Sequence, residues 1–337
     1  MSSEPRSLTV VVPVFNQASE IGSTLRAVGR SIAATSFAAD IVVIDDGSTD
    51  GTAEIARAAG ERVPLQVVEQ ENRGRFEARR RGLDQARGEY CLLLDSRVWL
   101  EPDALRFVEQ QLGEGEAREV WNGHVEIDTA GGAFAVFWDL LTRRAFSAYF
   151  SEPRTTSFGL ADFERFPKGT TCLFAPRALL VDAFDAFRSR YADLRQANDD
   201  APVIRWLAAR RPINISPEFA CRYTPRRRLG PFLRHAFHRG TVFADGHGRP
   251  ESAWFPIVIA LYAGSAGCVL VARRSPRVLA AAVTATAACG AALAVADRRP
   301  QNALTMAWVT PLYVTAHVAG MWRGVWLVLR DRMLPRA

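Results

Sequence analysis

Arg75-Phe76-Glu77-Ala78-Arg79-Arg80-Arg81-Gly82 runs on through Ala86-Arg87-Gly88-Glu89-Tyr90 into Cys91-Leu92-Leu93-Leu94, and the run closes on Asp95. The first block reads as a basic helix. The last reads as a short apolar strand that delivers one carboxylate at its C-terminal end. An earlier stretch repeats the pattern: Ile41-Val42-Val43-Ile44 runs into Asp45-Asp46-Gly47-Ser48-Thr49-Asp50. Ligands of open α/β sheets bind just beyond the carboxyl ends of the strands. Two buried strands that both end in aspartate therefore predict one crevice for a polar, phosphorylated ligand.

Working outward, the first 110 residues alternate strand and helix. Residues 9–14, 41–44, 65–68 and 91–94 read as strands. Ile21, Leu25, Val28 and Ile32 recur at helical spacing within 18–34, and 52–59 reads as a short helix. Pro102 opens a further helix with Leu105, Val108 and Leu112. This alternation predicts a doubly wound, parallel sheet. Residues 119–127 read as another strand and 134–150 as an aromatic-rich segment.

In order and spacing, four blocks resemble the family 2 glycosyltransferases of the GT-A fold, across residues 8–206. They are Val12-Pro13-Val14-Phe15-Asn16, the turn from Asp45 to Thr52, the block from Asn72-Arg73-Gly74 through Arg79 to Gly88, and the strand ending at Asp95. The resemblance implies a Rossmann-like, doubly wound mixed sheet. It also implies inverting transfer of a sugar from a nucleotide-sugar donor. On the donor side it assigns Pro13, Asn16, Asp46, Arg79, Asp95 and Arg97. Lys168-Gly169-Thr170-Thr171-Cys172 resembles the acceptor-side strand, and Asn198-Asp199-Asp200 the acidic motif that opens a helix. Asp200, with Asp199 second, is then the expected base. Aspartates also favour ordinary turns and helix starts, so the register of the whole block carries these assignments.

One departure matters most. The family's Asp-x-Asp reads here as Asp95-Ser96-Arg97. A lone carboxylate is a poor platform for Mg2+ or Mn2+, although Mg2+ often uses few protein ligands. A guanidinium can itself pair with a diphosphate. Three readings stay open: a metal-independent enzyme, a metal held through Asp95 and other groups, and an inactive site. The last makes the chain a non-catalytic, sugar-nucleotide-binding membrane scaffold. A nucleotidyltransferase shares the layered fold, but lacks support because the first turn is Pro13-Val14-Phe15-Asn16 rather than a glycine-rich loop.

The net charge of +6 comes almost wholly from arginine, Lys168 being the single lysine. Five scattered cysteines, with no Cys-x-x-Cys, argue against a disulfide framework or thiolate zinc site and for a reducing compartment. No secretory signal is expected at the polar start. The sequence predicts a catalytic domain over 1–221, a basic interfacial segment over 222–250 and a membrane region over 251–337. The basic segment interleaves Arg222, Arg226, Arg227, Arg228, Arg234, Arg239 and Arg249 with Tyr223, Phe232, Phe237 and Phe243. That mixture fits anionic headgroups or a lipid phosphate, and nothing else points to nucleic acid. His235 and His238, three apart, read as interfacial or phosphate contacts rather than a metal site. Runs 254–272, 278–296 and 303–321 hold no Asp, Glu, Lys or Arg, and each approaches the ~20 residues that span a bilayer. The expectation is a multi-pass protein of the cell membrane with its catalytic domain on the cytoplasmic side. Its partners are a nucleotide sugar, a lipid-linked or polyprenyl-phosphate acceptor presented for cell-surface glycan synthesis, the membrane, and a homo-oligomeric second copy.

Overall fold

A computed structural model describes residues 5–60, 63–248, 250, 252 and 254–333. Arg249, assigned above to the basic segment, lies outside them. The chain divides into two units that interleave in sequence. The first comprises Met1–Glu126, Ala148–Arg188 and Asp199–Thr224, and the second Ile127–Ser147, Ser189–Asn198 and Pro225–Ala337. A contiguous boundary at 221 does not describe this arrangement.

The strands are β1 (Ser7–Val14), β2 (Ala38–Asp45), β3 (Leu65–Glu69), β4 (Tyr90–Leu94), β5 (Val98–Leu100), β6 (Trp121–Asn122), β7 (His124–Ile127), β8 (Thr156–Phe158), β9 (Cys172–Pro176), β10 (Ile213–Ile215) and β11 (Ala220–Tyr223). Eight form one sheet in the order β3-β2-β1-β4-β9-β6-β10-β8, and β5-β11-β7 form a small second sheet. The four N-terminal strands of the large sheet are parallel, as the alternation predicts. Beyond them the sheet turns mixed, because β9 runs antiparallel to both β4 and β6. The single strand expected over 119–127 is broken at Gly123: its N–H still follows the β6–β9 ladder to the Cys172 carbonyl at 2.8 Å, whereas the next N–H, of His124, goes to the Phe219 carbonyl at 2.9 Å. Its two halves, β6 and β7, belong to different sheets.

The helices are α1 (Ile21–Ile32), α2 (Thr52–Ala58), α3 (Arg75–Gln85), α4 (Ala104–Gln111), α5 (Ala133–Ala145), α6 (Ser147–Phe150), α7 (Arg177–Asp185), α8 (Asp200–Ala208), α9 (Leu229–His247), α10 (Phe255–Ala272), α11 (Arg277–Ala296) and α12 (Ala303–Met333). In the first unit, Ile21, Leu25, Val28 and Ile32 form the buried stripe of α1, joining the core of Val10, Val12 and Leu92. Each such side chain contributes roughly 1.5–3 kcal/mol relative to exposure. Helix α3 packs against β1 where it has no side chain: a Cβ at Gly82 would stand 2.2 Å from Val11 Cγ1. Phe76 fixes the helix on its other side, with its ring 5.3 Å from Phe184 and 4.5 Å from Phe187.

The second unit has its own core, in which Phe134, Phe137, Trp138 and Leu140 of α5 meet Phe232 of α9 and Met306 and Val309 of α12. The basic segment supplies a helix with one buried face. Phe232, Ala236, Gly240 and Ala244 line that face, while Arg234 and Arg239 are exposed. Helices α9 and α12 touch through their backbones, since a Cβ at Gly240 would meet the His317 carbonyl oxygen and one at Gly320 that of Phe237, each at 1.9 Å. Buried Asp245 accepts hydrogen bonds from the Ser189 hydroxyl and the N–H groups of Arg190 and Asn198, which ties 189–198 to α9.

Of the three uncharged runs, two become helices long and apolar enough to cross a membrane. Helices α10 and α11 each reach a mean hydropathy of 2.1, with 6% and 11% of those windows buried. The third run fails the same test. Its helix, α12, carries Pro311 and His317 and continues through Arg323, Arg330, Asp331 and Arg332. One side of α12 is buried, at Met306, Val309, Gly320, Met321, Gly324 and Leu327.

Candidate active site

The first unit brings its predicted carboxylates and arginines together at the C-terminal ends of β2 and β4. On the donor side, two turns are laced to each other. Asn16 adopts φ 51°, a region asparagine tolerates. Its Oδ1 accepts the Thr49 N–H, and its own N–H donates to Ser48 Oγ, both at 2.9 Å. Pro13 is buried in β1, in register with Ile44. Asp46 is 4% exposed. One of its oxygens accepts from Gln70 Nε2 at 2.7 Å and the Arg73 N–H at 2.8 Å, and the other from the Gly74 N–H at 2.8 Å. The carboxylate thus holds the loop that feeds α3.

Arg79 lies at the centre, fully buried. Its guanidinium donates to Asp199 at 2.5 Å and to Asp95 at 2.6 Å, with Asp200 3.8 Å away. Burial works against this charge, but the carboxylates of Asp199 and Asp95 outweigh it and raise the Arg79 pKa. One turn earlier on α3, Arg75 reaches Asp199 at 3.3 Å and Asp200 at 3.9 Å. Two guanidiniums thus face three carboxylates, leaving one negative charge in excess.

The two adjacent aspartates at the start of α8 are not equivalent. The Asp199 side chain is 1% exposed and spent on ion pairs, whereas that of Asp200 is 35% exposed. One Asp200 oxygen, Oδ1, accepts the Thr170 hydroxyl, and also the Thr170 N–H at 3.2 Å. Its Oδ2 takes no hydrogen bond among the described residues. Burial opposes the charge, but Arg75, Arg79 and the Thr170 donors outweigh it and hold the carboxyl below the usual carboxylate range. Thr171 serves the neighbouring acid, donating to Asp95 Oδ2 at 3.2 Å, while its carbonyl accepts the Asp95 N–H at 2.9 Å.

Arg97 is held separately, with Nε donating to the Thr224 carbonyl at 2.9 Å and a terminal nitrogen to Gln17 Oε1 at 3.0 Å. That contact places it beside the turn of Asn16. Residues 95–97 do not make a divalent-cation platform. The one carboxylate already receives Arg79 and Thr171, and the second ligand position is a cation. Among the described residues no cluster of three His, Cys, Asp or Glu could hold a metal ion. His235 and His238 lie on α9 of the second unit, His235 against Trp138 at 5.4 Å.

Arg75, Thr170, Thr171 and Gln17 carry interactions here that no motif assigned to them. Arg75 was findable, since it precedes Arg79 by four residues and so shares its helix face. The threonines were not, because their partners lie 30 and 76 positions away.

Comparison with known proteins bears on the family and the fold. Residues 9–157 match the family described as glycosyl transferase family 2. A glycosyltransferase of Streptococcus pneumoniae, GlyA, is 31% identical over 128 residues, covering 38% of this chain and 18% of its own. The undecaprenyl-phosphate 4-deoxy-4-formamido-L-arabinose transferase of Pseudomonas paraeruginosa is 30% identical over 111 residues, covering 32% of this chain and 33% of its own. The chain thus spans a third or less of the length of these relatives. A solved structure of the Pyrobaculum calidifontis mannosyltransferase PcManGT, in complex with GDP-Man and Mn2+, superposes with a TM-score of 0.56 at 20% identity, covering 96% of this chain and 88% of that one. That likeness is one of fold. Residues 9–157, the segment that holds Asn16, Asp46, Arg79 and Asp95, thus match a family 2 glycosyltransferase domain.

Proposed function

We propose that the protein transfers a sugar, with inversion, from a nucleoside-diphosphate sugar to a hydroxyl of a lipid-linked acceptor at a membrane, as in building a cell-surface glycan. The carrying observation is the pair at the start of α8, a buried Asp199 locked to Arg79 and an accessible Asp200 whose Oδ2 meets Arg75 at 3.9 Å but takes no hydrogen bond among the described residues. In the reaction, the acceptor oxygen forms a bond to the anomeric carbon from the face opposite the leaving group. The bond from that carbon to the diphosphate breaks, and the nucleoside diphosphate leaves with the electron pair. Asp200 Oδ2 takes the acceptor proton. On the donor side, Asp46, Asn16 and Pro13 shape the nucleoside pocket, and Asp95 faces the sugar-nucleotide. Arg97, beside Gln17, meets the diphosphate as a fixed cation.

The test is a panel of uridine- and guanosine-diphosphate sugars given to membranes holding the full chain, with release of nucleoside diphosphate followed with and without EDTA. One donor should turn over, and turnover should survive the chelator. Arg97→Ala should then weaken binding of the nucleoside diphosphate about tenfold or more while leaving the bare nucleoside nearly unaffected, since one charge-assisted contact is lost. Loss of activity in EDTA, with Arg97→Ala neutral, overturns the cation role of Arg97.

The membrane reading is supported by α10 and α11, apolar helices in which only 6% and 11% of the apolar window is buried. Burying them in a bilayer removes that apolar surface from water. In this reading the catalytic unit faces the cytoplasm, where nucleotide sugars are made. The full chain should stay in the pellet when membranes are washed with alkaline carbonate. Recovery in the supernatant without detergent refutes insertion.

A further inference from the structure

We propose that Thr170 is a positioning residue for the base, clamping one oxygen of Asp200 and so deciding which oxygen meets the acceptor. The proposal rests on the reading of Asp200 as the base. Thr170 is fully buried, in the loop that leads into β9. Its hydroxyl and its backbone N–H both donate to Asp200 Oδ1. Arg79 stands 3.8 Å from the same oxygen, whereas the ion pair of Oδ2 among the described residues is with Arg75, at 3.9 Å.

Two donors from one residue do what a single hydrogen bond cannot. They fix the rotation of the carboxylate about its Cβ–Cγ bond, and they occupy the lone pairs of Oδ1. Oδ2 is then the oxygen left to accept a proton, and its orientation is set before the acceptor arrives. Had the hydroxyl served only packing or fold stability, the buried acid Asp199 would be its natural partner. It is spent instead on the more exposed of the two aspartates. The adjacent Thr171 addresses Asp95, so consecutive threonines hold the acids of the acceptor and donor sides.

The experiment compares full-length Thr170→Val and Thr170→Ser with wild type in membranes, using the donor selected by the panel above. Valine keeps the branched shape and removes the hydroxyl. The lost hydrogen bond to an ionised group should lower kcat about tenfold or more, with the donor KM nearly unchanged. A bond to the charged form depresses a carboxyl pKa, so its loss raises that pKa. The acid limb of the pH–rate profile should therefore move to higher pH in Thr170→Val and return in Thr170→Ser. In parallel, the Asp200 carboxyl is titrated by carbon-13 NMR in detergent, its signal identified by its loss in Asp200→Asn. That signal should titrate at higher pH in Thr170→Val, a readout that needs no substrate. If Thr170→Val does not fold, Thr170→Ala carries the same expectation. An unmoved acid limb and an unmoved carboxyl titration overturn the proposal, as does a kcat lost equally in valine and serine variants. Wild-type activity in Asp200→Asn would instead refute the base assignment, while the NMR titration still decides whether the clamp exists.

Discussion

Asp200→Asn should lower turnover by roughly 10²–10⁴-fold while leaving donor binding intact, the size expected when a general base is removed. Asparagine preserves the shape of the side chain and can still accept from Thr170, so the loss isolates proton transfer. The measurement is kcat with the selected donor, beside donor affinity measured without acceptor. The result also reports on the acceptor. A hydroxyl must give up a proton as it attacks, whereas a polyprenyl phosphate oxygen is already ionised near neutral pH and needs no base. A small effect of Asp200→Asn on an active enzyme would therefore transfer the reading to a phosphate acceptor. If Asp199→Asn alone abolishes proton transfer in a well-folded protein, the role belongs one residue earlier.

Arg79→Met should be the most damaging substitution to the fold. Methionine fills much of the same space, but it leaves Asp199 buried without its 2.5 Å partner and Asp95 without its 2.6 Å partner. Removing one member of a buried ion pair costs roughly 3–5 kcal/mol, because the remaining charge stays desolvated. For a unit of this size, that corresponds to a fall in Tm on the order of 10 °C. Arg75 compensates in part from 3.3 Å, so Arg75→Met combined with Arg79→Met should cost more than the sum of the two single changes. Thermal unfolding of the single and double variants checks this. A Tm within about 2 °C of wild type in Arg79→Met would mean that the network contributes little to stability.

How much of this was readable beforehand depends on the reach of each interaction. The strands that end at Asp45 and Asp95 were legible because the signal is local: an apolar run of strand length, then a carboxylate. The stripe of α1 was legible for the same reason. The direction of β9 was not, because its pairing with β4 joins Leu92 to Phe174, and no local pattern distinguishes an antiparallel neighbour from a parallel one. Residues 134–150 declared their aromatic content but not their partner, which is Phe232 nearly a hundred residues later. In the basic segment the arginines are conspicuous, while the face built from Phe232, Ala236 and Gly240 is small and lies between them. The three uncharged runs looked alike to a charge count. They separate only when the polar content of the third, with Pro311 and His317, is weighed as hydropathy. Within the site, Asp46, Arg79, Asp95 and the two aspartates of α8 came from motif register. The register ranked Asp200 before Asp199, but their unequal exposure, 35% against 1%, is set by contacts far apart in sequence.

The strand order of the large sheet bears on what the matched region is. The family match ends at residue 157, yet β9, built from Cys172–Pro176, lies between β4 and β6 and bonds to both. A chain cut at 157 would leave β4 with its backbone groups unpaired along one side, an open edge of the kind that recruits other chains and aggregates. It would also strip Arg79 of Asp199. The matched segment is thus shorter than the sheet it helps to build, and any transplantation of this domain into another protein has to carry the chain at least through β10 and the strand β8 that borders it.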